Sequence, residues 1–426
     1  MSSTRDEVAI IGGGIAGMAL ALALASHSIP STIYEMRPAT PLPHHAGGGM
    51  MLCPNALRIL DGLELYTPLL AQAYPFDYVY YKDRDETTVD RYPMGGEAQF
   101  GYRAVRVFRQ ELVELLAGAC RERGGVRIEH GMRFVKVVEE TETGVAFEFE
   151  GGERRSAGLL VGADGIHSKV RRGHVAPEAK LGFVGLAALT FAVPTAELAV
   201  PADKGYEFPV SVASANGVFV LAPQRPDGGE MLAGTQVPFD EAQAGRGREE
   251  LLADKEGLKA RLRRDEERWP GIVRSALGAI RDETMNVWPF YMLPPLERWT
   301  SSAEEGRRVL VLGDAAHAIP PTTGQGASMA LEDAASLALV LKRVKESGGR
   351  IGWAEGAGFW EAMRRERLGD LVVLTKKLNN KRLPPQEMEK LGRDEVWFEE
   401  GEGQMRWLYV PEIEQRVEAW VKGKME

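Results

Sequence analysis

The sequence predicts an α/β fold: a Rossmann-like parallel sheet with an inserted, mainly β-sheet block and a helical C-terminal region. Three observations carry this. The stretch EVAIIGGGIAGMALALALASHSIPSTIYEMR, Glu7 to Arg37, reads as strand, glycine turn, helix and strand. Two later apolar runs, Leu159 to Val161 and Arg308 to Leu312, also lead straight into glycine-bearing polar loops. Between them, from about Leu181, short apolar and aromatic runs alternate with Gly/Pro turns, as strands do.

Val8 to Ile11 are apolar and rich in branched residues, as a buried parallel strand requires. Gly12, Gly14 and Gly17 follow as G-x-G-x-x-G. The first glycine permits the tight turn, the second lets a pyrophosphate approach the backbone, and the third lets the helix pack on the strand. Ala16 to Ala25 continue as an Ala/Leu helix whose N-terminal amides and dipole would face phosphates. Ser31 to Glu35 read as the second strand. Glu35, about 20 residues on, stands where a carboxylate binds a ribose hydroxyl. A dinucleotide is expected; this stretch does not separate FAD from NAD.

Pro and Gly then mark a loop to about Gly49, including Gly48 and the pair His44 and His45, and a helix starts near Pro54. Asp77 to Met94 reads as two strands around a charged turn. Phe108 to Cys120 reads as a helix with Arg109 at its start, where a cation opposes the helix dipole unless an anion binds it. Strands are expected over Arg127–Glu129 and Arg133–Glu140, then a polar hairpin over Gly144–Arg155. GADGIHSKVRR after Leu159–Val161 holds Asp164 and Gly165 in a turn, Ser168 as a helix cap, and Arg171. Leu186–Val193, Gly217–Ala222, Glu230–Val237 and Thr284–Met292 read as strands, and Glu249–Ile280 as a helical stretch broken at Trp269-Pro270-Gly271. After Arg308–Leu312, GDAAHAIPPTTGQGASMALEDAASLALVL places Asp314 at a strand's carboxyl end, where open α/β sheets bind ligands. Gly324, Gln325 and Gly326 open a long helix over about Ala327–Val344. His317 reads as a satisfied loop histidine and Arg225, in PQRPDGG, as surface. From Trp353 the chain is helical.

The 426 residues suffice for about two or three domains. A 44% hydrophobic and 27% charged composition is that of an ordinary globular protein. The net charge of −9 argues against nucleic acid or an anionic membrane as the main partner. Cys53 and Cys120 form neither a metal-ligand spacing nor a disulfide framework, so no metal is expected. MSSTRDEVAI has no signal-peptide apolar region, and no run is long enough for a transmembrane segment. A reduced, cytoplasmic protein is expected.

Together GGGIAG with Glu35, GADGIHSKVR and GDAAHAIPP, in this order and spacing, resemble the FAD-dependent aromatic monooxygenases of the para-hydroxybenzoate hydroxylase and salicylate hydroxylase-like type. Fungal secondary-metabolite members and the tetracycline-degrading monooxygenases are similar. The resemblance runs from Val8 to about Arg367 and is one of layout only in the middle block. It implies a GR2-type FAD-binding domain in discontinuous pieces (1–75, 100–180 and 285–375), a substrate domain (76–99 and 181–284) and a C-terminal helical region (376–426). It implies non-covalent FAD on Gly12, Gly14, Ile15, Ala16 and Gly17 at the pyrophosphate, with Glu35, Met36 and Arg37 at the adenosine end. Gly48 and Gly49 would touch the flavin, Arg109 the phosphate or ribitol region, and Asp314 the ribitol. Asp164, Gly165 and Arg171 match a second fingerprint associated with FAD and reduced nicotinamide. Pro320, Pro321, Gly324, Gly326 and Ala327 would lie beside the isoalloxazine, with the long helix aimed at flavin N1/O2.

The implied reaction uses NAD(P)H and O2, through a flavin C4a-hydroperoxide, to hydroxylate a phenolic or polycyclic aromatic small molecule. A single glycine fingerprint agrees with members in which NAD(P)H binds transiently. No protein nucleophile is required, so no catalytic residue is assigned. Tyr206, Phe208, Gln236, Phe290 and Tyr291 are the substrate candidates, each more often a core residue than a contact. Two alternatives stay open: an FAD-dependent oxidase or reductase of the same superfamily, and a non-catalytic binding protein that keeps the fold.

Overall fold

The parallel sheet begins with Val8–Ile11, whose four residues are all buried, because both faces of such a strand are covered by helices. A computed structural model describes residues 7–39, 48–319, 323–380, 389–398, 401 and 403–426. The sheet order is Val309–Val311, Leu159–Gly162, Val8–Ile11, Ser31–Glu35 and Val126–His130, every pair parallel. Helices Ile15–Ser26 and Gly326–Glu346 pack against one another beside it. The expected strand–turn–helix–strand unit is present, and so are the two later strands that feed loops.

Three further sheets complete the fold. Phe134–Thr141, Gly144–Phe149 and Arg154–Ala157 form an antiparallel meander. Gly49–Leu52, Ala104–Phe108 and Tyr74–Phe76 form a small antiparallel sheet that the sequence reading did not anticipate. The third has seven strands, in the order Asn286–Met292, Gly182–Pro194, Glu230–Pro238, Gly217–Pro223, Val210–Ser214, Tyr78–Lys82 and Thr88–Pro93. Strand alternation divides its faces. Ala187, Leu189, Phe191, Met231 and Ala233 turn into a core with the helices Lys255–Leu262 and Gly271–Gly278. Leu186, Ala188, Thr190, Leu232 and Gln236 face the other way, into a cavity.

At the C-terminal side, Trp353–Asn380 packs on Gly326–Glu346 through buried charges. Arg364 pairs with Glu332 and Asp333, both at 2.7 Å, and Arg367 pairs with Glu332 at 2.7 Å. No helix among the described residues is long and apolar enough to cross a membrane.

Candidate functional site

The glycine turn takes its shape from close backbone approach. Gly12 has φ +110°, and a Cβ there would lie 2.5 Å from the Ala163 carbonyl oxygen. A Cβ on Gly17 would lie 2.0 Å from the Gly12 carbonyl oxygen, so only glycine lets the helix start this near the strand. Gly14 differs: a Cβ there meets nothing within 4 Å and would project into open space. That space is a cavity of about 1280 Å³ running from the glycine turn to the seven-stranded sheet.

Of the residues singled out in the sequence, Gly14, Ile15, Ala16, Gly48, Gly49, Arg109, Gly165, Asp314, Gly324, Gly326 and Ala327 line this cavity, brought together from five separate stretches of the chain. The Arg109 amide donates to the Gly48 carbonyl at 3.0 Å, which ties the glycine loop to the helix Arg109–Glu122. Gly324 adopts φ +65°, and a Cβ there would collide with the Met51 side chain, so this turn seats directly on the Gly49–Leu52 strand. Burial lowers the pKa of the Arg109 guanidinium, with Asp314 supporting its charge and Arg37 opposing it.

Glu35, Met36 and Arg37 stand outside the lining. Glu35 accepts the Gly13 amide at 2.7 Å and both the amide and Nε of Arg37 at 2.9 Å. Burial would raise its pKa, but these donors hold it below the ordinary value. Asp164 is also turned inward: Oδ2 accepts the Lys169 amide at 2.7 Å and the Val170 amide at 3.3 Å. Burial raises its pKa. Arg171 is buried, donating to the carbonyls of Ala315 at 2.9 Å and Ile166 at 2.7 Å, so it clamps the Asp164 loop to the Asp314 turn. Ser168 caps as expected, accepting the Arg171 amide at 2.9 Å. Pro320, Pro321, His44 and His45 lie outside the described residues.

Among the substrate candidates, Gln236, Phe290 and Tyr291 line the cavity. The Tyr291 hydroxyl is committed to the Ala244 carbonyl at 2.9 Å. Tyr206 and Phe208 do not line it; they stack on each other with centroids 6.0 Å apart. The Tyr206 hydroxyl donates to Glu86 at 2.7 Å, and the Lys82 ammonium lies 4.6 Å from its ring centre. Burial, followed by the Glu86 hydrogen bond, raises the Tyr206 pKa well above that of a free phenol. Aromatic type alone cannot tell the two faces of a sheet apart. Arg225 is not the surface residue its turn suggested: it pairs with buried Glu111 and stacks 4.9 Å over Phe108. His317 is buried, with Nε2 bonded to Asp333 at 2.6 Å, but its buried Nδ1 has no partner among the described residues, so the satisfied loop histidine expected from the sequence is met at one ring nitrogen only. The sequence reading passed over Arg106, Thr190 and Ser211, which line the cavity. Period-2 alternation marks Thr190 with Leu186 and Ala188; Arg106 is betrayed only by a lone charge in the apolar run AVRVF.

A parallel sheet with a glycine turn, opening on a large cavity roofed by a second sheet, defines a nucleotide-cofactor enzyme. Residues 5–350 match the FAD binding domain family, and the chain belongs to that family. It is similar to 6-hydroxynicotinate 3-monooxygenase of Bordetella bronchiseptica, 27% identical over 85% of this chain and 88% of the relative. It is similar also to the FAD-dependent monooxygenase janM of Penicillium janthinellum, 26% identical over 82% of this chain and 71% of the relative. The crystal structure of Klebsiella pneumoniae HpxO complexed with FAD and uric acid shares the fold: TM-score 0.70, 23% identity, 99% of this chain and 93% of that one. The chain is an FAD-dependent monooxygenase, an oxidoreductase of the aromatic hydroxylase type.

The residues present fit an FAD. Gly14 and Gly326 line the cavity with no atom in the way of an added Cβ, leaving room for a ligand against the backbone. Arg109 and Asp314 add one charge of each sign to the same wall.

Proposed function

We propose that this enzyme consumes NAD(P)H and O2 to hydroxylate a phenolic or polycyclic aromatic small molecule held between the flavin and the seven-stranded sheet. The observation that supports it most is the single continuous cavity. One end is bounded by Gly14, Arg109 and Asp314, the other by Leu232, Gln236, Trp288 and Phe290. Bound FAD would supply the redox chemistry: it accepts two electrons from reduced nicotinamide and delivers one dioxygen atom to a substrate carbon, the other leaving as water.

The protein's part is to bind, orient and exclude water. The amides that open the Ile15–Ser26 helix would hold the pyrophosphate, with Arg109 as its cation and Glu35 and Arg37 toward the adenosine end. Asp314 would hold the ribitol hydroxyls. The positive end of the Gly326–Glu346 helix would favour negative charge on the flavin pyrimidine. The apolar sheet face would position the ring of the substrate, with Gln236 as a polar contact. In this reading the parallel-sheet segments (1–75, 100–180 and 285–375) form the cofactor domain, 76–99 and 181–284 the substrate domain, and 376–426 a helical brace. Reduced nicotinamide and two free, buried cysteines suit a cytoplasmic setting. The relatives named for hydroxynicotinate and complexed with uric acid support a planar, oxygenated ring as substrate.

The test is a panel of phenols and fused aromatics. A substrate should stimulate NADH or NADPH oxidation with matched oxygen uptake and yield a product heavier by one oxygen atom. Flavin turnover with no oxygen incorporated into any product would instead support an oxidase or reductase.

A further inference from the structure

Arg106 sits at the centre of the small antiparallel sheet, opposite Met51 on one neighbour and Tyr74 on the other. Its strand neighbours Val105 and Val107 turn into the hydrophobic core, which leaves Arg106 on the other face, in the cavity wall. It is only 7% exposed. A buried guanidinium is costly unless paired and hydrogen-bonded. The fold meets that need elsewhere: Arg364 has two carboxylates and Arg171 two carbonyls. Arg106 has none of these among the described residues, and its buried Nε has no acceptor. Burial brings its pKa down to about 10, so it stays cationic at neutral pH. Arg109, three residues further on, feels both Asp314 and Arg37, whereas among the described residues burial alone shifts Arg106. The adjoining strand Tyr74–Phe76 runs into Tyr78–Lys82 of the seven-stranded sheet, so Arg106 stands where the small sheet meets the wall bearing Tyr81 and Tyr92.

We propose that Arg106 is the anion-binding residue of the substrate site, and that the substrate presents to it a carboxylate or an ionised ring hydroxyl on an aromatic framework. This rests on reading the cavity as the substrate site of a monooxygenase. A planar guanidinium with free donors takes either group through charge-assisted hydrogen bonds, and the apolar surroundings strengthen them. Pairing would also remove the cost of the unpartnered charge, so the empty site selects for an anion over a neutral compound of the same shape.

The test compares matched probes on the FAD-loaded protein, read by the change in flavin absorption. Benzoate against benzamide tests the carboxylate; 4-nitrophenolate against 4-nitroanisole tests the ionised hydroxyl. The parent should bind at least one anion about tenfold or more tighter than its neutral partner. Arg106→Gln should lose that preference, Arg106→Lys should keep part of it, and both should hold FAD within about threefold of the parent. Equal affinity of the parent for both members of each pair overturns the proposal. So does a preference that survives in Arg106→Gln, or FAD loss that parallels probe loss, which would make Arg106 a cofactor residue. The same titrations by calorimetry on FAD-free protein separate the two readings. A protein that takes up no FAD would refute the monooxygenase reading, while an anion preference dependent on Arg106 would still stand or fall by itself.

Discussion

Asp333 accepts the Gly313 amide at 2.9 Å, and through that bond the Gly326–Glu346 helix fixes the turn that presents Asp314 to the cavity. The same Oδ2 is bonded to His317 Nε2 at 2.6 Å, and Oδ1 to Arg364 Nε at 2.7 Å. Burial would raise the Asp333 pKa, but His317 and Arg364 bring it down to about 2. Asp333→Asn would leave Arg364 and His317 without their shared anion in a dry interior. Removing one partner of a buried ion pair costs about 3–5 kcal/mol. The expected outcome is a loss of that size in urea unfolding of the FAD-free protein, with weaker FAD retention. Unfolding within about 1 kcal/mol of the parent would show that the network has no such weight.

Asp314 is exposed in the cavity, so its role is separable from folding. Asp314→Ala should change stability by no more than about 0.5 kcal/mol, as surface substitutions do. It should weaken FAD retention far more, because the proposed ribitol contact and the charge that supports Arg109 would both be lost. Residual flavin after dialysis decides this; a variant that holds flavin as well as the parent would remove Asp314 from the ribitol.

The layout of the fold was legible because parallel strands buried on both faces advertise themselves: VAII, LLVG and VLV are unbroken apolar runs. The Ala104–Phe108 strand was hidden by its own content. A charge interrupts the apolar run AVRVF and a helix begins directly after it at Arg109, so no strand was expected there. Arg225 read as surface because its partner, Glu111, is brought near only by the tertiary fold. Tyr206 and Phe208 have the right chemistry for an aromatic site but lie outside the cavity lining, Tyr206 tied to Glu86 and Lys82 and Phe208 stacked on Tyr206. Contacts between distant segments carry no local signal, and those are the contacts that decide which side chains reach the cavity.

His317 makes a pH prediction. Burial works against its charge, but Asp333 overcomes this and raises its pKa above the ordinary histidine value. A raised folded pKa contributes stability that is fully present below the unfolded pKa, about 6.5, and is lost as pH rises through the folded value. The stability of the parent minus that of His317→Asn should therefore fall above about pH 6.5, by at most about 1.4 kcal/mol per pH unit. Denaturant unfolding of both proteins from acid to alkaline pH measures it. A difference that rises with pH up to about 6.5 would show that His317 is neutral in the folded protein, and one flat throughout would show that its pKa is not raised.

Gly14 and Gly17 predict opposite failures from the same substitution. At Gly17 a methyl would stand 2.0 Å from the Gly12 carbonyl, so the backbone of the turn must move. Gly17→Ala should unfold at lower denaturant by about 1–3 kcal/mol, the usual range for overpacking, and lose FAD with it. At Gly14 the backbone, φ −85° and ψ −174°, is one any residue adopts, and a methyl meets no protein atom within 4 Å. Gly14→Ala should fold like the parent, within about 0.5 kcal/mol, yet bind FAD more weakly, because the methyl occupies the space where the pyrophosphate approaches the backbone. Paired measurements of unfolding and FAD affinity on the two variants test the placement directly. If Gly14→Ala keeps full FAD affinity, the pyrophosphate does not lie against this turn.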